Sequence, residues 1–323
     1  MNKKIVYITG CLGFMASYFV KSCLLKEWYV IGIDKIDSVS NINLLTEFKK
    51  YKNFKFIKED INNLTDLYEC DFIVNFAASS HVDKSLNSSK QFLHDNVNGV
   101  YNLLELIRNT SKEIRPTLIH ISTDETLGDI AIGSHLETDM LKPSNPYAAS
   151  KSCGDQLILA WARTYDLSYN IIRPTNNYGI YQYPEKLIPR VCKSLQLGKK
   201  IPLHNNGTPR RTWLHAQDTT DGILTVIDKG VRNEIYNISG NYEDSNINVV
   251  SKIINCFLNR NIETKLTESE MSKFIDFSFN RPGVDVRYSL NDDKLKMLRW
   301  NCNKIFDKEL INVVNFYKET FIW

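Results

Sequence analysis

Short apolar runs alternate with longer stretches of helical period through the first half of the chain. The runs at 5–8, 29–33, 54–57, 72–76, 117–121 and 169–172 are dominated by Ile, Val, Leu, Phe and Tyr, with little alternation of polar positions. That pattern suits strands covered on both faces. Between them, 13–26, 90–108 and 146–165 read as helices, the last two long and amphipathic with small residues along one side. Strand and helix in regular succession make βαβ units, so the expected fold class is α/β, a doubly wound parallel sheet. Such helices can pack against a second copy of the chain, although burial against the sheet accounts for them equally well.

After Arg173 and Pro174 the elements shorten and Pro, Asn and basic residues become commoner. An apolar run at 235–238 behind a helix near 217–227 implies one return to the sheet. A smaller C-terminal α/β lobe follows, closed by an amphipathic helix over 307–321 with Asp307 as its N-cap. The expected division is 1–173, rejoined by about 212–240, for one lobe, and 174–211 with 241–323 for the other. A chain of 323 residues is long enough for both.

Composition narrows the function classes. Hydrophobic residues at 43% and charged residues at 24% are ordinary for a globular protein and exclude disorder and coiled coil. A net charge of +3 gives no basic face for nucleic acid, so an anionic ligand must be met locally. The 7 cysteines are scattered, with no metal-ligand spacing, and read as reduced thiols in a cytoplasmic protein with no metal. No run approaches a membrane span, and Thr9-Gly10 interrupts the apolar start too early for a signal peptide.

The first strand runs into Gly10-Cys11-Leu12-Gly13-Phe14-Met15-Ala16 and then a helix. Gly10 permits a tight turn, Gly13 lets backbone approach a pyrophosphate, and a small Ala16 allows close packing. The next strand ends at Asp34, where a carboxylate can accept both hydroxyls of an adenosine ribose and repel a 2′-phosphate. NAD is therefore expected over NADP, with Lys35 adjacent. Asp60-Ile61 and Phe76-Ala77-Ala78 follow further strands, where loops would line the two halves of a dinucleotide. This is a Rossmann-type arrangement.

Tyr147 and Lys151 stand four apart at a helix start, which puts phenol and ammonium on one face and favours the phenolate. Ser122-Thr123-Asp124-Glu125 ends the fifth strand. Alone this reads as a capped turn; opposite a Tyr/Lys pair, two carboxyls supply an acid and a base. With Ser80-His81-Val82-Asp83, Asn176-Asn177-Tyr178-Gly179, Pro184-Glu185-Lys186-Leu187-Ile188-Pro189, Arg211-Thr212-Trp213-Leu214 and Arg281-Pro282-Gly283, the chain resembles the nucleoside-diphosphate-glucose 4,6-dehydratases of the extended short-chain dehydrogenase/reductase superfamily.

The resemblance implies a lyase and homodimer with tightly held NAD and a sugar-nucleotide substrate. Tyr147, assisted by Thr123 and Lys151, would deprotonate the C4 hydroxyl as hydride leaves for NAD. Glu125 would take the C5 proton and Asp124 protonate the departing C6 hydroxyl, before hydride returns to C6. The same carry-over assigns Leu12, Phe14, Met15, Lys35, Ile36, Asp37, Ser79 and Asn177 to the cofactor. It assigns Ser80, Thr123, Asn176, Lys186, Leu187, Arg211, Asn246, Asn280, Arg281, Pro282, Gly283, Val284 and Arg287 to the sugar nucleotide. Ser79 stands where Glu or Gln is usual, Asp95 where an uncharged residue is usual, and Thr126-Leu127 where Val-Tyr is usual. Residues 13–17, 34–37 and 280–282 look more like the UDP-glucose enzymes of rhamnose synthesis than the bacterial dTDP-glucose enzymes. A 4-epimerase or decarboxylase on the same scaffold would need Tyr147 and Lys151 but not the acid pair; a non-catalytic NAD-binding protein would need neither.

Overall fold

In the computed structural model, which describes residues 3–280 and 284–320, the apolar runs form a seven-stranded sheet. Six strands come from the first half: β1 (Ile5–Thr9), β2 (Tyr29–Asp34), β3 (Phe54–Lys58), β4 (Phe72–Asn75), β5 (Thr117–Ile121) and β6 (Tyr169–Pro174). The seventh, Glu234–Ile238, lies at the edge beside β6, and the order continues through β5, β4, β1, β2 and β3. Every pairing in it is parallel. Both faces are covered. Val6 and Ile8 pack with Phe19 and Val20 of the Phe14–Leu25 helix, while Tyr7 between them packs with Leu104, Ile107 and Ile158 on the other side. Chain order reverses between β1 and β4, the switch point where such sheets open a crevice at their carboxyl ends.

A second apolar cluster, including Ile188, Val191, Val250, Ile253, Leu310 and Val313, joins the helices Leu187–Gln196, Asn246–Phe257 and Phe306–Glu319. They pack beside a three-stranded sheet of Asn176–Tyr178, Arg210–His215 and Tyr242–Ser245. From this sheet the chain passes straight into the helix Ala216–Lys229 and returns to the large sheet. The described cysteines are free thiols. Among the described residues no helix is long and apolar enough to cross a membrane.

Two expectations need correction. The stretch 90–108 is not one α-helix: Ser89–Leu93 and Gly99–Asn109 flank a π-helical turn, His94–Asn98. The reason lies in two buried polar side chains on that turn. Asn96 accepts from the Ser79 amide at 2.8 Å and donates to the Ser79 carbonyl at 2.9 Å, while Asp95 accepts from the Ser79 hydroxyl at 2.6 Å. The wider turn lets consecutive residues both meet the loop after β4, which a regular helix would splay about 100° apart. At the C-terminus Ile305 is the N-cap, and Asp307 sits in the first turn, paired with Lys252 at 3.2 Å.

Candidate active site

The crevice above the switch point is a cavity of about 870 Å³. Its walls carry Gly10, Gly13, Phe14, Met15, Asp34, Lys35, Asp37, Asp60, Ile61, Phe76, Ala77, Ala78 and Ser79 from the first four strand ends. Thr123, Asp124, Glu125, Tyr147, Lys151, Ser80, Asn176, Asn177 and Lys186 face the same space. Leu12, Ile36, Leu187, Arg211, Asn246, Asn280, Val284 and Arg287 lie outside its wall. Arg281, Pro282 and Gly283 fall outside the described residues.

The phosphate-facing turn follows from Gly10, at φ +62°, where a Cβ would lie 2.9 Å from the Ala77 backbone. Only glycine lets β1 and the loop after β4 approach so closely. Gly13 is the N-cap of the following helix and offers no side chain, so the first-turn amides stay available to an anion. A dinucleotide therefore fits the cradle.

Asp34 behaves differently from expectation. Its carboxylate already accepts from the Leu12 amide at 3.0 Å, the Ile36 amide at 2.9 Å and the Ser40 hydroxyl at 2.7 Å. With about four acceptor positions on a carboxylate, room is left for one ribose hydroxyl rather than two unless Ser40 turns away. Leu12 and Ile36 thus orient Asp34, and Ile36 takes φ +56° to do so. The Lys35 ammonium sits 3.1 Å from Asp95, 3.7 Å from Asp60 and 4.0 Å from Asp37. Its charge is matched within the protein, which leaves it poorly placed to welcome a 2′-phosphate.

Across the cavity, Asn145 caps the Pro146–Tyr165 helix by accepting from the Ala148 amide at 2.9 Å, which sets Tyr147 and Lys151 on the first turns. Thr123 caps the short turn Asp124–Leu127. Asp124 is buried, and its Oδ2 has no hydrogen-bond partner among the described residues. Burial first, then the neighbouring Glu125 carboxylate, push Asp124 up to about 7, with Thr123 and Arg211 opposing. Glu125 is half-buried and accepts from Asn145 at 3.2 Å. One carboxyl of the pair is thus built to hold a proton near neutrality.

Tyr147 departs from the sequence expectation: burial and the Glu125 charge raise its phenol, and the hydrogen bond with Thr123 only partly opposes them. The chain's own groups keep it protonated. Burial lowers Lys151 to about 8, against the pull of Asp155. Lys186 donates to the Ser80 carbonyl at 2.7 Å and so ties the second lobe to the loop after β4. Beside it Glu185 pairs with Lys84 at 2.8 Å. Arg211 lies over the Tyr288 ring at 4.4 Å and donates to the Asp285 carbonyl. Arg287 is engaged by Glu243 at 2.8 Å and by the Gly133 carbonyl, which makes it a strut between loops. Asn246 opens its helix, its amide donating to the Pro209 carbonyl, while Asn280 is exposed.

Sequence reasoning missed Gln91, Tyr181, Gln182 and Tyr183, all in the cavity wall. It left Asp95 without a site role, although the Asp95 carboxylate joins Ser79, Gln91 and Lys35. Ser at 79 where Glu or Gln is usual, together with an acid at 95 where an uncharged residue is usual, was the available signal.

A family model described as GDP-mannose 4,6 dehydratase matches residues 7–312. A dTDP-glucose 4,6-dehydratase of Haemophilus influenzae is 35% identical, the match covering 97% of each chain. A trifunctional UDP-glucose 4,6-dehydratase, 3,5-epimerase and reductase of Arabidopsis thaliana is also 35% identical, over 99% of this chain but 48% of that protein, so the chain spans about half the length of that relative. Among solved structures, the dTDP-glucose 4,6-dehydratase DesIV of Streptomyces venezuelae with NAD bound superposes with a TM-score of 0.88 at 34% identity, covering 98% of this chain and 97% of that one. A UDP-glucuronic acid 4-epimerase of Bacillus cereus shares the fold at 22% identity, with a TM-score of 0.87 over 98% and 99% of the two chains. By its near-complete family match and its full-length relatives, the chain belongs to the nucleoside-diphosphate-sugar 4,6-dehydratase family of the extended short-chain dehydrogenases/reductases.

Proposed function

We propose that the protein dehydrates a nucleoside-diphosphate glucose to its 4-keto-6-deoxy sugar on bound NAD, with UDP-glucose preferred. The observation that carries the dehydration is the carboxyl pair. Asp124, buried, unpartnered at Oδ2 and raised to about 7, adjoins Glu125 in the wall that also holds Tyr147 and Lys151. An epimerase has no use for an acid and a base at adjacent positions.

Residues 1–173 and about 212–240 would hold the cofactor, and 174–211 with 241–323 the sugar nucleotide. Gly10, Gly13 and the first-turn amides Phe14 and Met15 receive the pyrophosphate, while Asp34 and Asp37 meet the ribose. When bound, the oxidised nicotinamide supplies a positive charge beside the phenol and an acceptor for the C4 hydride. Once ionised under that charge, Tyr147 Oη would take the C4 hydroxyl proton, with Thr123 hydrogen-bonded to the same oxygen. Glu125 removes the C5 proton, acidified by the new ketone. Asp124 donates its proton to the C6 hydroxyl, which leaves as water; the hydride taken from C4 would then return to C6 as Glu125 gives a proton back to C5, so the oxidised cofactor is restored. Lys186 approaches the diphosphate from the second lobe; Arg211, outside the cavity wall with its guanidinium on the Arg210 and Asp285 carbonyls, would have to leave these carbonyls to reach phosphate oxygens.

UDP-glucose is favoured by residues 13–17 and 34–37; the full-length dTDP-glucose relatives favour dTDP-glucose as the second reading. Side-by-side kcat/KM values for UDP-glucose, dTDP-glucose and UDP-N-acetylglucosamine test the choice. A UDP-glucose advantage of about tenfold, or 1.4 kcal/mol, is expected, and the reverse ratio overturns the base assignment. We further propose a homodimer through the Pro146–Tyr165 helix and its neighbour, whose outer faces expose Cys153, Tyr101 and Leu93. Light scattering at working concentration checks it; a monomeric mass would overturn it.

A further inference from the structure

One side chain next to the catalytic lysine is used by no step above. Thr9, Asn75 and His120 are direct register partners at the ends of β1, β4 and β5, so their side chains stand in a row across the sheet. All three are almost completely buried, as are Lys151 and Asp155 beyond them. With the Asn75 amide oriented as it stands, their hydrogen bonds run in one direction. The Ala77 amide donates to the Thr9 hydroxyl at 3.2 Å, and the Thr9 proton goes to Asn75 Oδ1 at 2.6 Å. That turns the Asn75 amino group towards His120 Nδ1 at 3.0 Å, so Nδ1 must accept. A neutral imidazole with Nδ1 accepting carries its proton on Nε2. Burial and the Lys151 charge both hold the ring neutral.

The Nε2 proton then faces Lys151 Nζ at 3.3 Å and Asp155 Oδ1 at 3.9 Å. Among the described residues Asp155 Oδ1 has no hydrogen-bond partner, whereas Oδ2 is taken by Arg173 and Ser122. Lys151 meanwhile donates to the Ile121 carbonyl at 2.7 Å. A neutral amine accepts from Nε2–H; an ammonium does not, and the proton must then be directed at Asp155. The fixed donor thus meets the lysine lone pair at 3.3 Å when the amine is neutral, and only points at the Asp155 charge, 3.9 Å away and beyond hydrogen-bond reach, when it is protonated.

We propose that His120 is a positioning residue, locked as the Nε2–H tautomer by the row from Ala77, that holds Lys151 able to change its protonation state beside Tyr147. The charged and titratable groups around Lys151 are Asp155 and Tyr147 on its own helix, Asp124 and Glu125 on the turn after β5, and Arg173 on β6, acting through Asp155. His120 presents its Nε2 proton to Nζ at 3.3 Å, which favours the neutral amine. The inference deepens the dehydratase reading and rests on it for its kinetic consequence alone.

Two measurements test it. In protein labelled with nitrogen-15 histidine, the signals lost in His120→Gln identify this ring among the six histidines. They should report the neutral Nε2–H tautomer from about pH 6 upward, and should step as Lys151 titrates near about 8. An imidazolium, the Nδ1–H tautomer, or signals flat across that range overturns the proposal, with no substrate needed. In His120→Gln the side-chain oxygen can meet the ammonium and stabilise it. The pH limb for substrate-driven reduction of bound NAD should then move up by about one unit, lowering the rate about tenfold below the new value and restoring it above. His120→Asn, which keeps an acceptor for Asn75, should move it the same way. An equal loss at every pH would show a merely structural role. If no nucleoside-diphosphate glucose is turned over at all, the dehydratase reading fails and the nitrogen signals still decide the histidine.

Discussion

Replacing Asp124 by Asn should trade activity for stability, by an amount that depends on pH. Its folded-state value of about 7 lies above the unfolded value of 3.8. With the folded value raised, the carboxyl's contribution to stability is greatest below the unfolded value and is lost as pH rises towards the folded one. Linkage puts the penalty at about 2 kcal/mol near pH 5 and about 4 kcal/mol near pH 8. Asn carries no such charge, so the variant's advantage over the parent should grow by about 2–3 kcal/mol between those two pH values. Urea unfolding of both proteins in the same cofactor state, at each pH, reads the difference directly. The same substitution should cost roughly 10²–10⁴ in dehydration by removing the general acid, while reduction of bound NAD persists. In the parent, elimination should fall about tenfold per pH unit above about 7. A stability difference that does not change with pH would refute the raised Asp124 value, and with it the assignment of the resting proton.

The Glu125→Gln protein should still reduce its NAD when substrate is added but lose roughly 10²–10⁴ in C5 proton exchange. Exchange at the normal rate would remove Glu125 as the base. In Asp95→Asn, one of the three carboxylates around Lys35 is neutralised. Discrimination between NAD and NADP by the cofactor-free protein should narrow about fivefold to tenfold by isothermal titration, worth about 1 kcal/mol of charge; an unchanged ratio would show that Lys35 takes no part. Gly10→Ala places a Cβ 2.9 Å from the Ala77 backbone at φ +62°. A loss of about 1–3 kcal/mol in unfolding free energy is expected, together with failure to retain NAD on gel filtration.

The parallel sheet was readable because strands buried on both faces leave unbroken apolar runs, as in β1 and β5. The candidate catalytic strings are placed for a related reason: Thr123-Asp124-Glu125 and Tyr147 with Lys151 are local, each positioned by one cap. What local reading missed depends on partners far along the chain. Asp95 gains its place from Ser79, 16 residues away, and from Lys35, 60 residues away, and the π turn that delivers it has no periodic signature. Arg287 looked like a phosphate ligand by its neighbours in sequence, yet Glu243, 44 residues away, engages it. The Tyr147 phenol is set by burial and by Glu125, neither of which the Tyr-Lys spacing reveals.

The central claim is that the Asp124 and Glu125 pair converts a C4 oxidation into loss of water. Turnover of UDP-glucose or dTDP-glucose in heavy water, followed by nuclear magnetic resonance of the product, tests it most directly. The expected product is a 4-keto-6-deoxy sugar nucleotide carrying solvent deuterium at C5. A C4 epimer with protium retained at C5 would contradict it.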